Sequence, residues 1–404
     1  MKDIQIQNLL EEESFRQKLG INLIASENYA SQEVMSISGS IFANKYVEGY
    51  PGQRYYSGCA IYDEIELLAI DRFKKIFKAQ YCNVQPHSGS QANAAVYLAL
   101  LPPKAIILSM SLNAGGHLSH GHKVNWTHQW YTIISYGVDP INFELDYHEI
   151  EALAILHKPH LIIAGASAYS RTINFEKFAA IAKKVGALFM ADIAHLAGLI
   201  AVGLHPSPIP YADVITMTTH KTFRGPRGGV IMSSQGSLAE KINKMLMPGM
   251  QGGALMNHVA AKAVAALEVM QPDFLFYQQR VLNNARIMAQ EFLRIGYNIV
   301  TKGTDNHMFL IDLSKEELQG RQAEKLLESV GIFVNRNTIP FDLKSPLNPS
   351  GIRIGASAIT TMGADELFVK KIVQLIDITL KHHEDLIALN YVKKEVESLM
   401  KELS

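Results

Sequence analysis

The sequence predicts an α/β fold built on a mostly parallel sheet, and three observations predict it. Short apolar runs recur between residues 82 and 233: KAIILSM, LIIAGASA, ALFMAD, DVITMTTH and GGVIMSS, each bounded by Gly, Asp, Ser or His. Runs of that length suit strands buried on both faces. Helical stretches such as NFEKFAAIAKKVG separate several of them, the alternation that a parallel sheet with helical crossovers requires. Polar residues gather where the runs stop. Asp192, His220 and Lys221 all stand at or near such ends, and in open α/β sheets chemistry collects at the carboxyl ends of strands.

In chain order, the first 20 residues read as a short amphipathic helix. INLIASENYAS leads into SQEVMSISGSIFANKY, a second helix, and VEGYPGQRYYSGC is a loop rich in Gly, Tyr and Pro. AIYDEIELLAIDRFKKIF has apolar residues at helical spacing. YCNVQP then HSGSQAN then AAVYLALL reads as a strand, a tight turn and a helix start. After GGVIMSS and MLMPGMQGGALMN come two helices, HVAAKAVAALEVMQ and FLFYQQRVLNNARIMAQEFLRIG. The texture then changes: YNIVTKGTDNHMFLIDLS, GIFVNRNTI and GIRIGASAIT read as strands, RQAEKLLESV as a helix between them, and a C-terminal helix closes the chain. The division expected is an N-terminal arm over 1–20, a large domain over 21–270 and a smaller α/β domain over 271–404.

Composition narrows the function. The 404 residues carry 38 Lys+Arg and 38 Asp+Glu, a net charge of zero, which argues against a nucleic-acid partner held by bulk charge. Hydrophobic residues are 48% of the chain, enough for a large core. Cys59 and Cys82 make no CxxC and read as reduced thiols of a cytoplasmic protein. The polar, acidic start MKDIQIQNLLEEESFRQ reads as neither a signal nor a transit peptide. No window of 18 uninterrupted apolar residues predicts a membrane span.

The polar residues suit one chemistry. Labilising a bond at an amino acid's α-carbon needs an electron sink, and pyridoxal phosphate is one. Its protein must supply a Schiff-base lysine, an acid for the pyridine nitrogen, a phosphate cup and a group stacked on the ring. Lys221, in TTHKTFRGPRGG between His220 and Thr222, suits the first if it is desolvated; alone it is as ordinary as any surface lysine. Asp192 closes an apolar strand, where a carboxylate is costly unless paired, or it is a turn aspartate. Ser88, Gly89 and Ser90 stand where a helix begins, so free N–H groups there bind anions, or Ser88 is a plain N-cap. GMQGG, with Gly252 and Gly253, is a second cup candidate or a plain loop. Of the histidines in GGHLSHGHKVNWTH, His117 reads as the ring-stacking residue, and His120, His122 and His128 as surface or loop residues; their spacing matches no metal site. Arg353 inside GIRIG wants a carboxylate, from a structural ion pair or from a substrate. Glu48 lies among Tyr46, Tyr50, Tyr55 and Tyr56, a cluster that suits interface packing, and alone it reads as readily as a surface loop charge.

Together, LIASENY, NKYVEGYPGQRYYSGC, NVQPHSGSQAN, GGHLSHG, SAYS, THKTFRGPRGG and GTDNH closely resemble the serine hydroxymethyltransferase family, in order, from about residue 20 to about residue 365. The resemblance implies the fold-type I pyridoxal-phosphate architecture, similar to aspartate aminotransferase, and a homodimer with sites shared between subunits. It implies interconversion of serine plus tetrahydrofolate with glycine plus 5,10-methylenetetrahydrofolate. Lys221 is then the lysine of the internal aldimine, with His220 beside it in the catalytic set. Asp192 holds the pyridine nitrogen, His117 stacks on the ring, and Thr218 joins the cofactor contacts. Ser167 and His195 meet the ring hydroxyl side or the substrate carboxylate. Ser88, Gly89 and Ser90 bind the phosphate, helped by the other subunit's Gly253 and Tyr46. Ser26 and Arg353 bind the substrate carboxylate. Glu48 and Tyr56, also across the dimer, reach the serine hydroxyl and the folate. Leu112, Gly116, Leu118 and Asn337 line the folate site.

Several residues depart from that family's pattern. Ala254 and Asn257 stand where proline and histidine are usual, and Met247 where an aromatic residue is frequent. Ala356, Ser357 and Met362 replace Thr-Pro and an arginine, and Ala114 replaces a histidine. They bear on folate affinity more than on the cofactor. The alternative function is a folate-independent β-hydroxy-amino-acid aldolase of the same fold. A non-enzymatic scaffold would have lost the lysine or the cup, and both are present.

Overall fold

A computed structural model describes residues 3–403. They form two compact units: residues 28–278, and residues 3–27 with 279–403.

The unit of residues 28–278 is organised by a seven-stranded sheet. Its strands are β1 (Tyr81–Asn83), β2 (Ile106–Met110), β3 (Thr132–Tyr136), β4 (Leu161–Ala164), β5 (Leu188–Asp192), β6 (Val214–Thr218) and β7 (Gly229–Ser233). Their spatial order is β1-β7-β6-β5-β4-β2-β3. The five strands from β6 to β3 run parallel, and β7 is antiparallel to both β6 and β1. Every residue of β4, β6 and β7 is buried, as strands covered on both faces demand. β3 is the edge strand that apolar runs do not announce, since Thr132 and Ser135 are exposed.

Helices cover the sheet by the expected spacing. Ala60–Phe77 buries Glu66, Ala69, Phe73 and Phe77 on one stripe. Phe175–Val185 starts at Asn174, whose Oδ1 accepts from Lys177 N at 3.0 Å, buries Phe175, Phe178, Ile181 and Ala182, and ends at Gly186. Phe178 is fully buried, stacked on Phe189 at 6.0 Å and in contact with Tyr136 and Tyr147. SQEVMSISGSIFANKY is not one helix: Gln32–Ser38 stops at Gly39, and a 3-10 turn, Ile41–Ala43, follows.

In the other unit, Asn298–Ile299, Met308–Asp312, Gly351–Gly355 and Asn335–Asn337 make an antiparallel sheet in that order. Ile21–Asn22 pairs in parallel with Ile332–Phe333, so INLIASE joins this unit. GIRIGASAIT is a strand only to Gly355, and Ser357–Thr361 is helical. The C-terminus holds two helices, Glu366–Lys381 and Leu386–Glu402, the second capped by Asp385. The arm helix Ile4–Leu19 forms, but none of its residues is buried, and Ile4, Leu9, Leu10 and Phe15 are exposed. It is therefore not amphipathic against this chain.

Phe178→Ala is expected to cost about 3–5 kcal/mol, the range for emptying a large buried aromatic site. Urea unfolding of the variant checks this, and a loss under about 1 kcal/mol would show that the aromatic layer does not support the sheet.

Candidate active site

The site begins with a buried carboxylate at the end of β5. The Asp192 side chain is 10% exposed. Its Oδ2 accepts from Asn93 Nδ2 at 2.8 Å and from His120 Nε2 at 2.9 Å, and its Oδ1 accepts from Ala194 N at 3.0 Å. Burial alone would raise its pKa. The hydrogen bond and electrostatics of the His120 ring, the Asn93 amide and the electrostatics of the His117 ring outweigh that and hold the carboxyl well below the usual carboxylate range. His120 is thus neither a surface nor a loose loop histidine: it is 3% exposed. His117 N donates to its Nδ1 at 3.3 Å, so the ring proton sits on Nε2, aimed at Asp192.

His117 itself is fixed from two sides. Its Nδ1 lies 2.7 Å from Ser119 Oγ and accepts from Ser119 N at 3.1 Å. Ser119 Oγ in turn accepts from Asn93 Nδ2 at 2.9 Å. Ahead of it the backbone turns at Gly115, at φ +113°, a conformation that favours glycine. Gly115 O accepts from the backbone N–H groups of Ser167, at 2.7 Å, and Ala168, which fixes the SAYS segment here. At Gly116 a side chain would overlap Met110 O. Leu112 is half-buried and Leu118 is 42% exposed on the same loop.

Next to β5 in the sheet, β6 ends at Thr218, whose Oγ1 donates to Ala194 O at 3.1 Å. Thr219, His220 and Lys221 follow. Lys221 is 8% exposed, and its carbonyl accepts from Asn28 Nδ2 at 2.9 Å and Arg224 N at 3.0 Å. Thr222 Oγ1 donates to the carbonyl of buried His195 at 2.9 Å. These bonds hold the lysine's backbone in a tight loop. His220 is pushed down to about pKa 3, by burial first and then by Lys221 and Arg227, so its ring is neutral near pH 7.

Two glycine segments meet on the other side of Thr218. Helix Gly89–Leu100 is capped by Ser88, whose Oγ accepts from Gln91 N at 3.2 Å. A side chain at Gly89 would lie 2.6 Å from Thr218 Cγ2, so the helix start abuts the end of β6. Gln251, in GMQGG, accepts from His87 N at 3.2 Å and donates to Gln85 O at 3.1 Å. That glutamine was no candidate in the sequence, yet it joins the two segments. Gly252 and Gly253 face Glu48 and Tyr46 of the same chain: a side chain at Gly252 would lie 3.2 Å from Glu48 Oε1 and 3.3 Å from Tyr46 OH. Tyr46 meets Tyr56 edge-on at 5.3 Å, and both are about half exposed, at 57% and 46%.

In the unit of residues 3–27 and 279–403, Arg353 lies on the central strand Gly351–Gly355 and is 8% exposed. Its Nε donates to Asn335 Oδ1 at 2.9 Å, and burial lowers it to about pKa 10. Asn337 is half-buried and turns its amide to Thr338 O. Ser26 is half-buried in the segment after the strand Ile21–Asn22.

The residues fit a phosphorylated pyridine cofactor. Asp192 is kept ionised, as the partner of a protonated pyridine nitrogen must be. The helix start at Gly89 offers free N–H groups to an anion. A buried ring nitrogen, His220 Nδ1 beside Lys221, has no hydrogen-bond partner in the chain, and it is open to a bound group or water. Among the described residues no group of His, Cys, Asp and Glu could hold a metal ion.

Comparison with known proteins gives the family. The family profile described as Serine hydroxymethyltransferase matches residues 1–376. A serine hydroxymethyltransferase of Phytoplasma australiense is 53% identical over 98% of this chain and 97% of its own length. Those of Coprothermobacter proteolyticus and Rickettsia prowazekii are 53% and 52% identical, over 100% and 99% of this chain and 95% and 96% of theirs. The chain belongs to the serine hydroxymethyltransferase family, fold-type I pyridoxal-phosphate enzymes that interconvert serine and glycine with tetrahydrofolate as cosubstrate.

Proposed function

We propose that the chain moves the hydroxymethyl carbon of serine to tetrahydrofolate with Lys221 as the covalent anchor of pyridoxal phosphate. One observation carries this reading: a buried lysine lies just past the end of β6, and the neighbouring parallel strand β5 ends in an ionised, largely buried carboxylate. When bound, the cofactor supplies an electron sink for the α-carbon. Asp192 keeps a proton on the pyridine nitrogen, and His117 stacks on the ring. The N–H groups and hydroxyls of Ser88, Gly89 and Ser90 hold the phosphate. Ser167, His195 and Thr218 fix the ring's other edge, and neutral His220 stands beside the lysine. Ser26 and Arg353 bind the substrate carboxylate. Glu48 moves a proton at the serine hydroxyl oxygen, with Tyr56 beside it. Leu112, Gly116, Leu118 and Asn337 line the folate.

The functional form is a homodimer in which Tyr46, Glu48, Tyr56 and Gly253 serve the other subunit's site. Three tyrosines exposed on one loop, Tyr46, Tyr55 and Tyr56, support a partner surface. Cys59 and Cys82 are free thiols, which supports a cytoplasmic setting. Among the described residues no helix is long and apolar enough to cross a membrane. The alternative, a folate-independent aldolase, is not favoured by the family assignment.

Glycine formation from serine by the purified, cofactor-loaded protein is expected to rise steeply when tetrahydrofolate is added; a slow rate indifferent to tetrahydrofolate would put the aldolase first. Lys221→Ala is expected to lose the visible absorbance of the lysine-bound cofactor and all turnover while staying folded. Normal turnover by that variant would end this reading. Glu48→Gln is expected to keep serine affinity within a few-fold and lose about 10²-fold or more in folate-dependent transfer, the usual worth of a general acid–base group. Unchanged transfer would remove Glu48 from the machinery.

A further inference from the structure

Lys262 lies on the helix Met256–Val269, is 2% exposed, and takes no part in the chemistry described above. Its Nζ donates to three backbone carbonyls: Val84 O at 2.7 Å, Gly229 O at 2.9 Å and Pro86 O at 3.0 Å. Three acceptors match the three protons of an ammonium. Burial draws its pKa down to about 7, with Cys82 and Glu66 pulling the other way, the solvation cost of an ammonium in the core, while the three carbonyl acceptors favour the protonated form.

The three carbonyls are not scattered. Val84 and Pro86 belong to the segment that leads into Ser88–Gly89–Ser90. Gly229 opens β7, and its own N–H donates to Pro86 O at 3.0 Å. A side chain at Gly229 would lie 2.5 Å from Ser88 O and 3.2 Å from Gly89 N, so the strand start presses directly on the cup. The ammonium therefore ties the entry to the cup and the strand behind it to one point.

We propose that Lys262 is a positioning residue for the phosphate cup: it clamps Val84–Pro86 to Gly229 so that the N–H groups of Gly89 and Ser90 converge on the cofactor's phosphate. This rests on the assignment of the phosphate to Ser88–Ser90. The full-length protein, stripped of cofactor, is titrated with pyridoxal phosphate and with pyridoxal, which lacks the phosphate. Lys262→Met is expected to raise the Kd for pyridoxal phosphate about tenfold or more, the usual effect of losing an outer supporting contact, and the Kd for pyridoxal less than about threefold. An unchanged ratio of the two constants would overturn the proposal, because a merely structural lysine weakens both alike. Should Lys262→Met not fold, Gly228→Ala is the second variant: its new methyl would overlap Lys262 Cε and lie 2.8 Å from Nζ, forcing the ammonium off its carbonyls, and the same ratio decides. A wild-type protein that does not prefer pyridoxal phosphate to pyridoxal would sink the cup assignment itself, which separates that failure from the failure of Lys262.

Discussion

Keeping the Asp192 carboxylate ionised in a largely buried position sets the arrangement of three separate segments. The carboxylate needs donors, and water cannot supply them there. Asn93 comes from the helix that starts at the cup, and His120 from the loop after β2. Each donor is itself fixed. Asn93 Oδ1 accepts from Thr216 Oγ1 at 2.6 Å, which turns its amide nitrogen towards Asp192 and Ser119. His120 takes the His117 N–H on Nδ1, which leaves Nε2 as the donor. The charge of the acid, the tautomer of one histidine and the seat of the next are therefore one linked arrangement. In the proposed site, a cofactor between Asp192 and His117 would meet groups whose orientation is set before it binds, and pre-set electrostatics is what an electron-withdrawing site needs.

A second buried charge pair stabilises the tyrosine-rich loop. Arg54 donates to Glu66 Oε2 at 2.6 Å, to Asp63 Oδ1 at 2.8 Å and to Gly49 O at 2.5 Å. Gln85 Nε2 bonds both Glu66 Oε1 and Gly49 O. Glu66 and Arg54 are nearly inaccessible, at 1% and 4% of their side chains. Such a pair adds little net stability over an apolar core, but breaking it is costly, and it fixes geometry. Here it ties the loop just after Glu48, at Gly49 and Arg54, to the helix Ala60–Phe77 and, through Gln85, to the segment that follows β1. The rings of Tyr46, Tyr55 and Tyr56 are exposed on a backbone that does not move freely.

Legibility in the sequence follows the range of the interaction. The strands β2, β4, β5, β6 and β7 were readable because burial on both faces writes a continuous apolar run. Asp192 and Lys221 stood out in the sequence because each lies at or near the end of such a run. Asn93, His120, Gln251 and Lys262 did not, because nothing local marks them: one is a mid-helix amide, one a histidine among four, one a loop glutamine and one a lysine in an alanine-rich helix. Their partners lie 99, 72, 164 and 178 residues away, and only the fold brings them there. The same reason hides the pairing of Ile21 with Ile332, since two-residue strands carry no period. The arm helix shows the converse. Its apolar residues suggested a buried stripe, yet Ile4, Leu9, Leu10 and Phe15 are exposed and no residue of the helix is fully buried.

The departures from the family pattern have a structural logic of their own. Ala254 stands where proline is usual, and its N–H donates to Val47 O at 3.3 Å, a bond that proline cannot make. Asn257, in place of histidine, donates from Nδ2 to Ser38 O at 2.5 Å. Both contacts run from the segment that carries Gly252 and Gly253, one to the residue before Glu48 and the other to the end of the helix Gln32–Ser38. Ala356 is buried, with its N–H given to His307 O at 2.9 Å, and Met247 is buried as well. None of these residues replaces a charged group of the proposed site. Ala254 and Asn257 exchange ring rigidity and an ionisable side chain for neutral hydrogen bonds to backbone. Ala254 thus alters how the Glu48 loop is held, and none of these four residues is among the groups proposed to hold the cofactor.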